Sequence, residues 1–269
     1  SGESAVTFAI YAGHKDIVYS LLDKGAKLTV PDGGRALIQA IETGQRDLLV
    51  LLLDNGADVN ENGTGTSPLI VAAQINPEYI SLLLAYGANV NAQDNRGRNA
   101  LMYLLTEDSW PSLDLVSLLL DRDTNVNNKD LKGNTALMMT LRYSYRKIPS
   151  VDICKKLIDS GADVNAANDN GAFPLQRAIE YSNDEIATLL IASGADINAQ
   201  TPNGQTTLML ALERGTTNMV SLLIDKGADV NVRPRYGSSA LIAAVNQGEV
   251  DIVWLLLDKG ADVNYANKE

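Results

Sequence analysis

Asp251-Ile252-Val253-Trp254-Leu255-Leu256-Leu257-Asp258-Lys259-Gly260-Ala261-Asp262-Val263-Asn264 is the stretch whose reading decides the fold. It is an apolar run with helical spacing, stopped by a glycine and followed by a short polar ending. Its Gly-Ala mark recurs at Gly25-Ala26, Gly56-Ala57, Gly87-Ala88, Gly161-Ala162, Gly194-Ala195 and Gly227-Ala228, with a degenerate copy at Asp123-Thr124. The steps between copies are 31, 31, 36, 38, 33, 33 and 33 residues. Self-similarity at such a period marks a solenoid, in which each unit buries its apolar face against its neighbours.

Upstream of each mark lies a second apolar-periodic segment. Leu208 to Leu212 and Leu241 to Val245 show it in the last two units, with Gly215 and Gly248 as the turns that follow. Thr206 and Ser239 are placed to accept backbone N–H bonds at the start of these first helices. Asp251 is placed to do so at a second helix, where its charge also suits the helix dipole, and Lys259 suits the opposite end. Gly227 and Gly260 end the second helices by supplying a left-handed residue.

The Thr/Ser-x-Leu start, the alanine four or five places on, and the ending Asp-Ile-Val-x-x-Leu-Leu-Leu-x-x-Gly-Ala-Asp-Val-Asn together resemble the ankyrin repeat, over nearly the whole chain. The resemblance implies an all-α solenoid of stacked helix-turn-helix units with β-turn fingers, and a concave face formed by fingers and first helices. The expected register is a single domain, 1–269, of eight repeats: 1–29, 30–60, 61–91, 92–127, 128–165, 166–198, 199–231 and 232–264, with a tail 265–269. The family's usual proline survives at Pro68 and Pro174 alone. Its usual histidine is replaced by Thr7, Ile38, Ile70, Met102, Met138, Gln176, Met209 and Ile242, most of which suit inward packing.

On the implied concave face, the position after the missing histidine carries Val71, Tyr103, Met139, Arg177 and Leu210. Either this row is an exposed, partly apolar stripe for a partner, or the fingers cover it. The finger tips add Arg96, Arg98, Lys129, Lys132, Arg233, Arg235 and Tyr236. Repeats four and five carry extra residues between their helices, 106–112 and 142–150. Trp110, Arg142, Tyr143, Tyr145 and Arg146 in these two loops are residue types that anchor protein interfaces. The alternative is that the loops fold back and merely tolerate length. The degenerate copy at Asp123 places a non-glycine residue where a left-handed one is expected, which implies a local weak point or a small change in solenoid curvature.

Composition narrows function further. A net charge of -11 disfavours DNA, RNA and anionic lipid as partners. No apolar run approaches the length that crosses a membrane. The lone histidine, His14, follows Gly13 at a turn and is expected to hydrogen-bond locally. The lone cysteine, Cys154, shares its repeat position with Val18, Leu49, Ile80, Val220 and Val253, which makes it a core thiol. One histidine and one cysteine in different repeats assemble neither a metal site nor a nucleophile–base pair. No phosphate-cradling glycine motif is present. The repeated aspartates, Asp58, Asp163, Asp196, Asp229 and Asp262, fall one per unit and serve as turn formers.

The expected function is therefore a non-enzymatic module, without cofactor or metal, that binds another protein or an extended peptide on its concave face in the cytoplasm. The alternatives are a regulatory or targeting region of a longer multidomain protein, or an ankyrin-type binder of a small ligand. At the C-terminal end, Trp254 and the leucines beside it lack a polar capping face. That end is expected to continue into further chain or to pack against another molecule, self-association included.

Overall fold

Helix pairs build the protein because neither helix of a pair is long enough to persist alone. First helices of 7 residues, such as Ala5–Tyr11 and Thr207–Glu213, fall far short of the length at which an isolated helix survives in water. The computed structural model describes residues 4–26, 32–61, 65–106, 111–141, 150–233 and 238–266. Among these residues there is no strand, only an isolated antiparallel bridge between Gln200 and Thr206.

The chain divides into two compact units, Ser1–Leu131 and Lys132–Glu269. In the first, α1 (Ala5–Tyr11) packs on α2 (Lys15–Asp23), α3 (Asp32–Glu42) on α4 (Arg46–Asp54), α5 (Pro68–Ile75) on α6 (Ile80–Ala85), and α7 (Ala100–Thr106) on α8 (Leu113–Leu120). In the second, α9 (Ala136–Thr140) packs on α10 (Val151–Asp159), α11 (Pro174–Glu180) on α12 (Asp184–Ala192), α13 (Thr207–Glu213) on α14 (Thr217–Asp225), and α15 (Ala240–Gln247) on α16 (Val250–Asp258). Within each unit the first helices of successive pairs touch in series, α1–α3–α5–α7 and α9–α11–α13–α15. Each pair with its connecting loop is one layer.

Leucines at one register position tie the layers together. Leu37, Leu69, Leu101, Leu137, Leu175 and Leu208 are all buried, each contributing about 1.5–3 kcal/mol by leaving water. At the position of the missing histidine, Thr7, Ile38, Ile70, Met102, Met138 and Met209 are buried as well, so the exchange is accommodated by inward packing. Gln176 and Ile242 remain half-buried there.

Caps set where the helices begin. Thr206 Oγ1 accepts from Met209 N at 3.3 Å and Ser239 Oγ from Ile242 N at 3.3 Å, as their positions predict. Ser4, Ser67, Thr135 and Ser150 do the same for α1, α5, α9 and α10. Asp251 departs from expectation: the residue capping α16 is Glu249, without a side-chain bond, and Asp251 lies inside the first turn. It keeps its favourable place at the positive end of the dipole but satisfies no cap N–H. His14 likewise occupies the cap of α2 without a side-chain cap bond, and the local bond it makes is from its backbone N–H to Ala9 O.

A ladder of asparagine amides links one layer's loop to the next. Asn198 Nδ2 donates to Gly227 O at 3.3 Å, while its Oδ1 accepts from Asp229 N at 2.8 Å. Asn231 repeats this with Gly260 O and Asp262 N, both at 2.8 Å, and Asn165 with Gly194 O and Asp196 N at 3.1 and 2.7 Å. In the first unit Asn60 joins Gly87 and Asn89, and Asn91 joins Asp123 and Asn125. The preceding aspartates orient the rungs: Asp196 Oδ1 accepts from Asn198 N at 2.9 Å, and Asp229 Oδ1 from Asn231 N at 2.8 Å. They are turn formers, as their spacing predicts.

Two backbone positions show what the loops demand. Gly133 has φ 73°, and a Cβ there would meet Asp169 N at 2.9 Å, so only glycine lets the two loops close up. Asp123, standing where the other layers have glycine, has φ 57°. This residue takes the left-handed conformation that its position requires, and Thr124 Oγ1 caps Leu119 O behind it at 2.5 Å.

Replacing Asn198 by Ala removes both bonds of one rung and is expected to destabilise the protein by about 1–2 kcal/mol in urea denaturation. Asp123→Gly is expected to act in the opposite direction, by about 0.5–1 kcal/mol, because glycine takes φ near +60° without a Cβ clash.

Candidate interaction surface

The face of α3 that carries Arg35, Ile38, Gln39 and Glu42 follows an i, i+3, i+4, i+7 spacing, which lines these side chains up on one side of the helix. Val71, Gln74 and Ile75 do the same on α5. Together with Thr43 and Thr66 they line an open groove of about 750 Å³ between the two first helices. Its lining is mixed. Arg35 and Glu42 bring opposite charges to the ends of one helix face, ~10 Å apart by helical rise. Gln39 and Gln74 bring amides, and Ile38, Val71 and Ile75 an apolar floor. Ile75 is 50 % exposed, and Thr66 Oγ1 is buried without a hydrogen-bond partner among the described residues. Asn76 Nδ2 donates to Ile41 O at 2.5 Å, which ties α5 to α3 just behind the groove. In the layer before, Phe8 occupies the register of Gln39 and is 60 % exposed.

The row Val71, Tyr103, Met139, Arg177 and Leu210 is placed differently from an exposed stripe. Val71, Tyr103, Met139 and Leu210 are buried, and only Arg177 is half-exposed. Val71 still reaches the groove as part of its floor. Tyr103 shows how the covering works. Its hydroxyl donates to Asp94 Oδ2 at 2.6 Å, and the Arg98 guanidinium lies 5.4 Å from its ring centre. Asp94 Oδ1 meanwhile accepts from Arg96 N and Arg98 N, closing the finger over the helix. Arg177 Nη1 donates to Tyr181 Oη at 3.2 Å. Tyr103 is thus fastened to its own finger, and along α3 and α5 the accessible surface lies one helical turn further on, at Glu42, Gln74 and Ile75.

The finger cations divide into two groups. Arg96, Lys129 and Lys132 are exposed. Arg98 is engaged internally, with its Nε 3.8 Å from the buried Asp130 carboxylate. Arg233 is exposed but held, 3.3 Å from Asp262 Oδ2 and 5.5 Å from the Tyr265 ring centre. Arg235 and Tyr236 lie outside the described residues, as do Trp110, Arg142, Tyr143, Tyr145 and Arg146 of the two central loops.

Sequence reading passed over Arg35, Gln74, Ile75 and Phe8. The available signal was their helical phase: each of the first three lies three or four residues from Gln39 or Val71, and Phe8 shares the register of both.

Among the described residues no constellation for chemistry accompanies this surface. Cys154 is buried, and burial pushes its thiol up to about 11, opposed only by the Thr140 hydroxyl 3.3 Å away. A thiol so held is inert at neutral pH. Among the described residues no group of His, Cys, Asp and Glu is arranged to hold a metal ion, and no helix is long and apolar enough to cross a membrane.

Stacked helix pairs with glycine-turned fingers and an inter-loop amide ladder define a repeat protein of the helical solenoid class. The family model described as "Ankyrin repeats (3 copies)" matches residues 1–63, 37–130, 109–201 and 199–267, and the chain belongs to the ankyrin repeat family. Among solved structures, the ankyrin repeat domain of Bcl-3, a member of the IkappaB protein family, is similar in fold. It has a TM-score of 0.68 and 24% sequence identity, over 81% of this chain and 97% of that one. No curated protein matches the sequence. Ankyrin repeats are in general non-enzymatic scaffolds for protein interaction.

Burial first, then the bond to Asp94, raise the Tyr103 phenol above its ordinary value of 10.0. The stability this contributes is complete below pH 10 and is lost as pH rises through the higher folded value. Tyr103→Phe is expected to cost about 1 kcal/mol at pH 7 and to show a shallower loss of stability above pH 10, read from urea denaturation at the two pH values.

Proposed function

We propose that the protein binds another protein through the first-helix face of its layers, gripping an extended segment in the groove between α3 and α5. The groove itself carries this reading: it is open, apolar at its floor, and edged by Arg35, Glu42, Gln39 and Gln74, which offer charges of both signs and backbone-matching amides. A segment lying there would place an apolar side chain against Ile38, Val71 and Ile75 and use the edge groups for orientation, since mixed charges contribute specificity more than affinity. Phe8 extends the apolar contact by one layer. The exposed finger cations Arg96 and Lys129, in the same compact unit as the groove, would then favour acidic residues at the flanks of the bound segment. The wider row Val71, Tyr103, Met139, Arg177 and Leu210 belongs to this surface chiefly through its edges and its support of the fingers. In this reading the eight repeats act as one binding domain, without catalysis or cofactor, in the cytoplasm.

Peptides selected against the intact chain from a displayed library test the proposal. Ile75→Glu is expected to weaken the selected binders by about 10-fold or more, as loss of a central apolar contact does. Its urea denaturation midpoint is expected to stay unchanged, because Ile75 is half in solvent. Equal binding by Ile75→Glu and by Glu42→Lys would overturn the assignment of the groove.

A further inference from the structure

The fingers of repeats four and five turn their carboxylates inward and their cations outward. Asp94 uses one oxygen on the Arg96 and Arg98 backbone N–H groups and the other on the Tyr103 hydroxyl. The Asp130 side chain is 2 % exposed. Arg96 and Lys129, by contrast, stand in solvent. Two neighbouring finger tips thus present positive charge in a chain whose net charge is -11. The tips are also fixed in place. Leu131 N donates to Arg96 O at 2.9 Å, and Asn128 Nδ2 donates to Gly97 O at 2.7 Å. The fingers lie so close that a Cβ on Gly97, where φ is 72°, would meet Lys129 O at 3.1 Å. A ligand meeting these side chains has no loop to order, which lowers the cost of binding.

Leu131 makes the patch apolar as well as positive. Its side chain is 74 % exposed, more than any other large apolar side chain among the described residues. The same finger position carries Asn95 in repeat four, Asp169 in repeat six and Pro202 in repeat seven, so stacking does not call for a leucine there. The groove between α3 and α5 belongs to the same compact unit as Arg96, Lys129 and Leu131. On one side of it α3 brings the exposed Glu42; on the other, α7 follows α5, and the finger of Arg96 leads into α7. At ~8–10 Å between adjacent first helices and ~3.3 Å per residue of extended chain, one layer corresponds to about three residues of a bound segment. Arg96 thus lies about four or five residues from the middle of the groove, and Lys129 about seven or eight.

We infer, taking the groove between α3 and α5 as the anchor point, that the partner is an extended protein segment that is acidic on one side of its apolar anchor. Its Asp or Glu residues stand about four to eight residues from that anchor, on the side that runs towards α7, where they meet Arg96 and Lys129. An apolar residue among them rests on Leu131. The charges also set the direction of the chain. Laid the other way, the same segment would bring its carboxylates to Glu42 and leave the cationic tips unmatched.

Peptides selected against the full chain from a displayed library supply the probe. Their acidic residues are expected to cluster on one side of the apolar anchor, at the spacing given above. With a fluorescently labelled selected peptide, the doubly substituted chain Arg96→Glu, Lys129→Glu is expected to bind about 10-fold more weakly, and Leu131→Asp likewise. Added salt is expected to weaken the unsubstituted chain and to leave the doubly substituted one little changed. A peptide with lysines in place of its acidic residues is expected to lose affinity for the unsubstituted chain and regain it for the doubly substituted one, a rescue that a folding defect cannot produce. Selected peptides without the acidic cluster, or equal binding by either variant, overturn the inference and leave the groove standing if Ile75→Glu still weakens them. Finger variants that lose binding while Ile75→Glu keeps it show instead that the groove is the part that fails, and the segment anchored there fails with it.

Discussion

A layer of this protein is held by the layer beside it. Burial of a leucine row and closure of an asparagine rung happen at the same contact, and neither exists within one helix pair. Leu208 and Leu175 are covered because α13 and α11 lie against each other, and the Asn198 amide is satisfied only by the loop of the following layer. Stability in such an arrangement is a sum over neighbours, so a change in one layer is felt mainly in the two it touches. The same dependence explains why the short first helices are ordered at all.

The demand for layer contact also determines what is left over for a partner. The inward side of each first helix is consumed by stacking, and at the next position Tyr103 is fastened to its finger by Asp94 and Arg98. What remains accessible is the last turn of the helix, where Glu42, Gln74 and Ile75 border a groove. Its mixture of apolar floor and polar edge follows from this geometry. Side chains near the stacking surface must be apolar, and those one turn away are free to vary.

Local periodicity made much of this legible from the sequence. Thr206 and Ser239 could be placed as caps, and Cys154 in the core, because each claim involves only residues within a turn or a repeat. Which of the two readings holds for Tyr103 was not legible, because its burial depends on a finger nine residues away folding back over the ring. Arg98 likewise looked like a free tip and is committed to Asp130, a pairing across two fingers. Asp251 was misplaced for a smaller reason: the helix starts two residues earlier than its charge pattern indicates, and Glu249 takes the cap. The groove escaped notice because it arises between two helices, each unremarkable by itself.

The asparagine ladder carries a chemical clock. Hydrolysis of a rung amide to a carboxylate keeps the acceptor oxygen but abolishes the N–H donors. At Asn198 the bond from Asp229 N would survive, while the bond to Gly227 O would become a repulsion between two acceptors. Ageing of the protein would then loosen one strand of the ladder and spare the other. The residues after the rungs (Glu61, Ala92, Ala166, Ala199 and Val232) carry side chains that crowd the backbone nitrogen which must attack the amide. Durability of the rungs thus rests partly on residues that make no rung contact themselves.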